Sequence, residues 1–316
     1  MADNTHTNLL EAIIKNIETV IVGKRESIEH LLICLICGGH ALIEDVPGLG
    51  KTSLVSALAN SVDMSFQRIQ FTPDVLPSDV TGFTMYHMAT GEKEFYPGAV
   101  MSQMVLADEI NRTSPKTQSA LLQAMQEKQV TVDGTTHILP QPFMVCATQN
   151  PVGLTGTYPL PEAQLDRFLI RIAMGYPKQS DEITILEKNK GDNPLIEVNS
   201  VATVKNILKL QKNLEEIKCA QGILKYIVEL AEYTRTHKDV SLGISPRASI
   251  ALMRASMGVA LMQGRNYVLP DDVQKMVKPV FSHRMVMHSQ ALIQNRDADS
   301  VIDAALQTIK VPAMYR

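Results

Sequence analysis

Apolar side chains recur at helical spacing at Leu9, Leu10, Ile13, Ile14, Ile17, Val20 and Ile21, which predicts an amphipathic helix near the start of the chain. Ser27 to Cys37 predicts a second helix, stopped by Gly38-Gly39. The pattern then changes to an apolar run of strand length at 41–43, with further strands expected at 66–71, 103–107, 143–147 and 168–173. Helical stretches lie between them, Ser53 to Ala59 among them, and strands alternating with helices predict a parallel sheet covered on both faces. Two segments interrupt the alternation. Residues 72–100, with Thr84 to Met88 and Lys93 to Tyr96 flanking Thr90-Gly91, predict a short helix and a hairpin; residues 129–139, centred on Asp133-Gly134, predict a second hairpin. After Gly175-Tyr176-Pro177 the strand signals thin out. Helical patterns at 181–189, 203–216, 221–236, 247–263, 271–284 and 298–309 place an all-α domain at 178–316, behind an α/β domain at 1–177.

The chain of 316 residues, 45% hydrophobic and 20% charged, is long enough for two domains with ordinary cores. No uncharged apolar run reaches membrane-spanning length, and Met1-Ala2-Asp3-Asn4-Thr5 lacks the regions of a signal peptide, so the default expectation is a cytoplasmic protein. A formal charge of −3 gives no general attraction to nucleic acid, although a local basic patch stays open. Four cysteines do not make a disulfide framework in a chain of this size. Cys34-x-x-Cys37 lies inside an apolar helical run with no second Cys or His pair at zinc spacing, and is expected to pack in the core.

The chemistry starts at Glu44-Asp45-Val46-Pro47-Gly48-Leu49-Gly50-Lys51-Thr52-Ser53, a glycine-containing loop between strand and helix. Gly48 and Gly50 let backbone N–H groups close around phosphate oxygens, the following helix adds its positive dipole end, Lys51 reaches the outer phosphates and Thr52 offers a hydroxyl to Mg²⁺. This points to a nucleoside triphosphate. Asp45 stands where the general pattern has its first glycine, and aspartate's tolerance of left-handed backbone angles is expected to let the loop form. Val105-Leu106-Ala107-Asp108-Glu109 is an apolar strand ending in two acids, placed where a parallel sheet presents its ligands; Asp108 suits Mg²⁺ and Glu109 the activation of water.

Further along, Thr148-Gln149-Asn150 follows a buried-looking strand, and the Asn150 amide either holds the attacking water or serves as a turn residue before Pro151. Pro161 to Phe168 predicts a short helix with proline at its first position. Arg167 at its end is either an arginine finger or the partner of Glu162 or Asp166 in an ion pair. Ser245-Pro246-Arg247 reads as a helix start, where a cation opposes the dipole and so is expected to meet an anion, a phosphate or a neighbouring acid. Met85, Met88, Met101 and Met104 around the first insertion are expected to pack in the core, with a soft protein-binding surface as the other use.

In this order the residues resemble an AAA+ ATPase, and more narrowly the MoxR family, over nearly the whole chain. The narrower resemblance rests on Phe71 to Gly82, on Ala147-Thr148-Gln149-Asn150-Pro151, on Gly156 to Phe168 and on Ser245-Pro246-Arg247. It implies an AAA+ P-loop sheet domain followed by an α-helical lid, with ATP and Mg²⁺ bound. It makes Arg167 the finger, Arg247 sensor 2, Ile21-Val22-Gly23 the adenine contact, and the two hairpins the helix-2 and pre-sensor-1 insertions. It further implies a homo-oligomeric ring, usually a hexamer, that remodels or activates client protein complexes, often beside a partner with a von Willebrand factor A-type domain. Two other classes compete: a nucleic-acid motor and a nucleotide-gated binding module. Thr84 to Tyr96 carries only Lys93 as an unambiguous cation and Gln129 to Leu139 none, which argues against the first, while the presence of both Glu109 and Arg167 argues against the second.

Overall fold

The computed structural model describes residues 4–46, 48–89, 91–149, 157–188 and 198–312, the side chains of Asn4 and Thr5 excepted. Helices α1 (Asn4–Glu18) and α2 (Arg25–Ile36) lead to strand β1 (Ala41–Glu44), and α3 (Lys51–Ser61) leads to β2 (Phe66–Gln70). The first insertion holds α4 (Pro77–Thr81), β3 (Gly82–Tyr86) and β4 (Lys93–Pro97). Next come β5 (Met104–Asp108), α5 (Pro115–Glu127), the hairpin β6 (Gln129–Val132) and β7 (Thr135–Ile138), β8 (Met144–Gln149), α6 (Glu162–Leu165) and β9 (Ile170–Ile172). Among the described residues the rest is helical, α7 (Gln179–Lys188), α8 (Val204–Leu214), α9 (Gln221–Thr236), α10 (Pro246–Met262), α11 (Pro270–Phe281), α12 (Ser289–Ile293) and α13 (Ala298–Thr308), apart from a small antiparallel pair, β10 (Val240–Leu242) with β11 (Val286–Met287). These two- and three-residue strands carry no sequence signal and exist because α9 and α11 bring their ends together.

The main sheet is parallel, in the order β2-β5-β8-β1-β9. Its inner strands β5, β8 and β1 read as continuous apolar runs because both faces are buried, whereas the edge strand β2 is polar and largely exposed. Met104, Leu106, Met144 and Cys146 face one core, with α1 to α3 and the helices after residue 198, whereas Val105, Ala107, Val145 and Ala147 face a second, with α5 and the bases of the insertions. Helix α2 is buried nearly all round, between β9 on one side and α8 and α10 on the other. That placement accounts for the cysteine pair. Burial pushes the Cys34 thiol well up and the Cys37 thiol up to about 12, and Cys37 donates to the Arg254 carbonyl at 3.2 Å, so neither thiol is poised for redox or metal chemistry.

Three sequence expectations need correction. Asp45 is not among the residues with left-handed backbone; its carboxylate instead accepts hydrogen bonds from the N–H groups of Val46 and Gly175, at 3.0 and 2.7 Å. Pro161 is the residue before α6 rather than its first. Of the four methionines expected in the core, Met104 is buried and Met101 partly so, but Met85 is exposed and Met88 wholly so, because they lie on a two-stranded hairpin with no layer over its outer face. The two hairpins lean on each other through Phe95 and His137, stacked at 3.8 Å.

Candidate nucleotide site

The loop after β1 is shaped by its glycines. Gly48 and Gly50 have φ of 85° and 82°, a left-handed backbone that favours glycine, and a Cβ built on either would meet nothing within 4 Å, so the space beside the loop in front of α3 is open. Gly50 is the residue before the first turn of α3, which begins at Lys51 and continues through Thr52 and Ser53. The Lys51 ammonium donates to the Asp45 carbonyl at 2.7 Å. Burial lowers its pKa, while Asp45, Asp108 and Glu109 oppose that shift. An open glycine loop, a helix N-terminus and one desolvated cation suit a polyphosphate.

Asp108 ends β5, and Glu109 follows it in a left-handed conformation, φ 55° and ψ 51°. Thr148 holds the pair in place from the neighbouring strand β8. Its hydroxyl donates to Asp108 Oδ1 at 2.6 Å and accepts from the Glu109 N–H at 2.8 Å, and the residue is buried. Arg68 donates to Asp108 Oδ2 at 2.7 Å, leaving each carboxylate oxygen a further lone-pair direction for a cation. Glu109 accepts at Oε2 from Gln70 (3.1 Å) and Arg112 (2.9 Å), and Oε1 has no hydrogen bond with the described residues. None of Thr148, Gln70, Arg68 and Arg112 was singled out from sequence, because nothing local marks a polar residue that meets its partner from an adjacent strand or turn.

The turn Ile21-Val22-Gly23 is brought to the same end of the sheet through the segment after β9. Lys24 donates to the carbonyls of Met174, Gly175 and Tyr176 at 2.6, 2.9 and 2.9 Å, and Asp45 accepts from the Gly175 N–H. Gly23 lies so close to Asp181 of α7 that a Cβ would come within 2.2 Å of its carboxylate. Asn150 lies outside the described residues.

Arg167 and Arg247 are elsewhere. They line one cavity of about 330 Å³ with Gly39, His40, Lys128 and Arg254, at the N-terminal end of β1, whereas the phosphate loop follows its C-terminal end. A four-residue strand separates the two groups by roughly 13 Å. Arg167 makes neither of the ion pairs considered for it. Its Nη1 donates to the Leu122 carbonyl at 2.8 Å, and its buried Nε has no hydrogen-bond partner among the described residues. Arg247 is exposed, in the first turn of α10 with Ser245 as the cap, and is in no hydrogen bond or ion pair with the described residues. Arg171, by contrast, is taken up by Glu44 at 3.4 Å and Asp299 at 3.7 Å.

A parallel sheet with a phosphate loop after the inner strand β1, paired acids at the end of β5 on the far side of β8 and a helical lid defines an ATPase of the AAA+ class. Residues 40–170 match the ATPase family associated with various cellular activities (AAA), and residues 232–305 match the AAA lid domain. The chain is 48% identical over 304 residues to YeaC, an uncharacterised protein of Bacillus subtilis, covering 96% of this chain and 95% of that one. It is 38% identical over 321 residues to the chaperone MoxR1 of Mycobacterium tuberculosis, covering 99% and 84%. A crystal structure of a candidate ATPase from Cytophaga hutchinsonii matches with a TM-score of 0.90 at 37% identity, over 98% of this chain and 97% of that one. The chain belongs to the MoxR family of AAA+ ATPases. Among the described residues no helix is long and apolar enough to cross a membrane.

Proposed function

We propose that this ATPase works as a homo-oligomeric ring, a hexamer by family resemblance, in which each site is shared between neighbours and ATP hydrolysis remodels client protein complexes. The observation that carries the proposal is the separation of its chemistry to the two ends of β1. Lys51, Asp108 and Glu109 are together at one end, and Arg167 and Arg247 line a cavity at the other, too far to serve the same subunit's phosphates. A head-to-tail contact places that cationic cavity against the next subunit's phosphate loop, and such contacts serve every site only when the ring closes. Arg247 is then a second cation acting in trans beside the finger.

Within one site, the N–H groups of Gly48, Leu49 and Gly50, with those starting α3 at Lys51, Thr52 and Ser53, would hold the phosphates, and the Lys51 ammonium would pair with the outer ones. The Thr52 hydroxyl and Asp108 would hold Mg²⁺, which when bound neutralises phosphate charge. Glu109 Oε1, free of other donors, takes the proton of the attacking water, with the Asn150 amide orienting that water. Ile21, Val22 and Gly23 contact adenine. Residues 1–177 form the nucleotide-binding domain and 178–316 the lid, and the Lys24 and Asp45 hydrogen bonds to residues 174–176 make the junction between them responsive to the loop. Clients, with a von Willebrand factor A-type partner by resemblance, meet the exposed Tyr86, Met88 and Ile138 of the paired hairpins.

The test separates binding from turnover. Lys51→Ala should lose ATP affinity, whereas Glu109→Gln should keep it and lose phosphate release by on the order of a hundredfold. Equal loss of affinity in both variants overturns the assignment, and a native protein with no turnover of its own in the presence of Mg²⁺ leaves only a nucleotide-gated binding module.

A further inference from the structure

The backbone around Arg167 is held by residues far away in the chain. Arg284, which follows α11, is 6% exposed. Its Nε donates to Asp166 Oδ1 at 2.7 Å, and its Nη atoms donate to the carbonyls of Phe168 (2.5 Å), Leu169 (3.1 Å), Asp166 (3.4 Å) and Val280. The neighbouring His283 ring meets the Phe168 carbonyl at 3.0 Å, which requires Nε2 to carry the proton. The carbonyls on both sides of Arg167 are thereby bound to one short turn of the helical region. The second Asp166 oxygen accepts from the Ser245 hydroxyl at 3.3 Å, and that same hydroxyl caps α10 by accepting from the Ala248 N–H at 3.1 Å. Arg247 stands two residues after this cap.

Asp166 is therefore the junction of three things: the finger segment, the buried Arg284 and the start of the helix that carries Arg247. A buried guanidinium with five acceptors in fixed directions permits little independent movement of what it joins. Among the described residues, none of the hydrogen bonds of this cluster reaches the phosphate loop or the paired acids.

We infer that Asp166 is a positioning residue which, with Arg284 and Ser245, locks Arg167 and Arg247 into one unit, so that movement of the helical region presents or withdraws both arginines from the neighbouring subunit's phosphates together. The inference rests on the reading of Arg167 as a finger acting in trans. It assigns a function to an aspartate whose sequence context suggested only an ion pair with the arginine next to it.

The experiment is a kinetic double-mutant cycle on the full-length ring. Asp166→Asn keeps the shape and loses the charge that orients Arg284. It should leave ATP affinity within about threefold and lower kcat by roughly tenfold or more. In an Arg167→Ala background the same change should cost clearly less, because one of the two residues it positions is gone. Losses that multiply, or an affinity that falls as much as kcat, would show a merely structural role and overturn the inference. Should Asp166→Asn fail to fold, Ser245→Gly is the gentler variant, since glycine keeps most of the cap and removes only the hydroxyl at Asp166. It should lower kcat about threefold with Arg167 present and clearly less without it, and equal effects in both backgrounds refute the coupling. An Arg167→Ala protein with native kcat would instead refute the finger reading itself, whereas an inactive Arg167→Ala beside a folded Asp166→Asn of native kcat would refute the coupling alone.

Discussion

Replacing Thr148 by valine removes a single hydroxyl at nearly constant volume from a buried position between the two acids. Two hydrogen bonds go with it. The bond to Asp108 Oδ1, at 2.6 Å, is charge-assisted and worth about 1.5–3 kcal/mol. The Glu109 N–H loses its acceptor, which costs about 1–3 kcal/mol if it stays buried and unpaired. Glu109 also holds a left-handed backbone, φ 55°, which a non-glycine residue adopts at a cost of about 1 kcal/mol, and the Thr148 acceptor is what fixes it there. The two hydrogen bonds together amount to roughly 2.5–6 kcal/mol, divided between stability and the orientation of Glu109. An orientation share of ~2.7 kcal/mol corresponds to a hundredfold in rate. ATP affinity should stay within about threefold, because the phosphate loop and Lys51 lie on another element. Phosphate release at saturating ATP, nucleotide binding by fluorescence and thermal denaturation read these three quantities separately. Thr148→Ser restores the hydroxyl and should recover most of the rate. A Thr148→Val protein whose kcat stays within about twofold of native would refute the argument that this hydroxyl orients the acid.

Mixing Arg167→Ala, which should hydrolyse ATP poorly, with the inactive Lys51→Ala should restore part of the ATPase activity once subunits exchange, and a mixture that gains nothing over Arg167→Ala alone at any ratio despite proven exchange rules out the shared site as drawn. Nucleic acid should neither bind with steep salt dependence nor stimulate turnover; stimulation at physiological salt that disappears on changing Lys93 would overturn the choice of protein clients. Burial lowers the His40 pKa to about 4, and in the fold its Nδ1 accepts from the Val145 N–H while Nε2 meets the Met125 carbonyl, so the ring is neutral. Because the folded pKa lies below the unfolded value near 6.5, the unfolded state binds more protons between these limits. The stability contributed is complete above about pH 6.5 and is lost as pH falls toward 4, to a total of about 3 kcal/mol. Denaturant melts across that window should therefore be less pH-dependent for His40→Gln than for the native chain, and equal slopes would refute the assignment.

The sequence by itself determined the elements and the phosphate chemistry. Period-two burial on both faces made β1, β5 and β8 readable as apolar runs, and the turn residues Asp133-Gly134, both with positive φ, marked their hairpin. Gly48, Gly50, Lys51 and Thr52 stood out because a strand, a loop and a helix only a few residues long set their spacing, and Asp108-Glu109 because they end an apolar strand; that this strand lies near Lys51 was decided by sheet order. What the sequence could not supply depends on contacts across the fold. Asp45 looked like a backbone substitution for glycine, yet its side chain ties the loop to Gly175, which lies 130 positions later. Met88 has the composition of a core residue, and only the absence of a packing layer over its hairpin exposes it. Arg167 and Arg247 carried family meaning as separate motifs. Their common cavity at the opposite end of β1 from the phosphate loop follows from sheet order and from the seat of α10 on α2, which no window of sequence contains. The same is true of Thr148 and Asp166, whose partners lie 39 to 118 positions away. Local periodicity fixes which residues form an element, because a helix or strand is stabilised by neighbours in the chain; which polar group answers which is decided by packing, because a buried donor or acceptor must find its partner wherever the folded chain brings one.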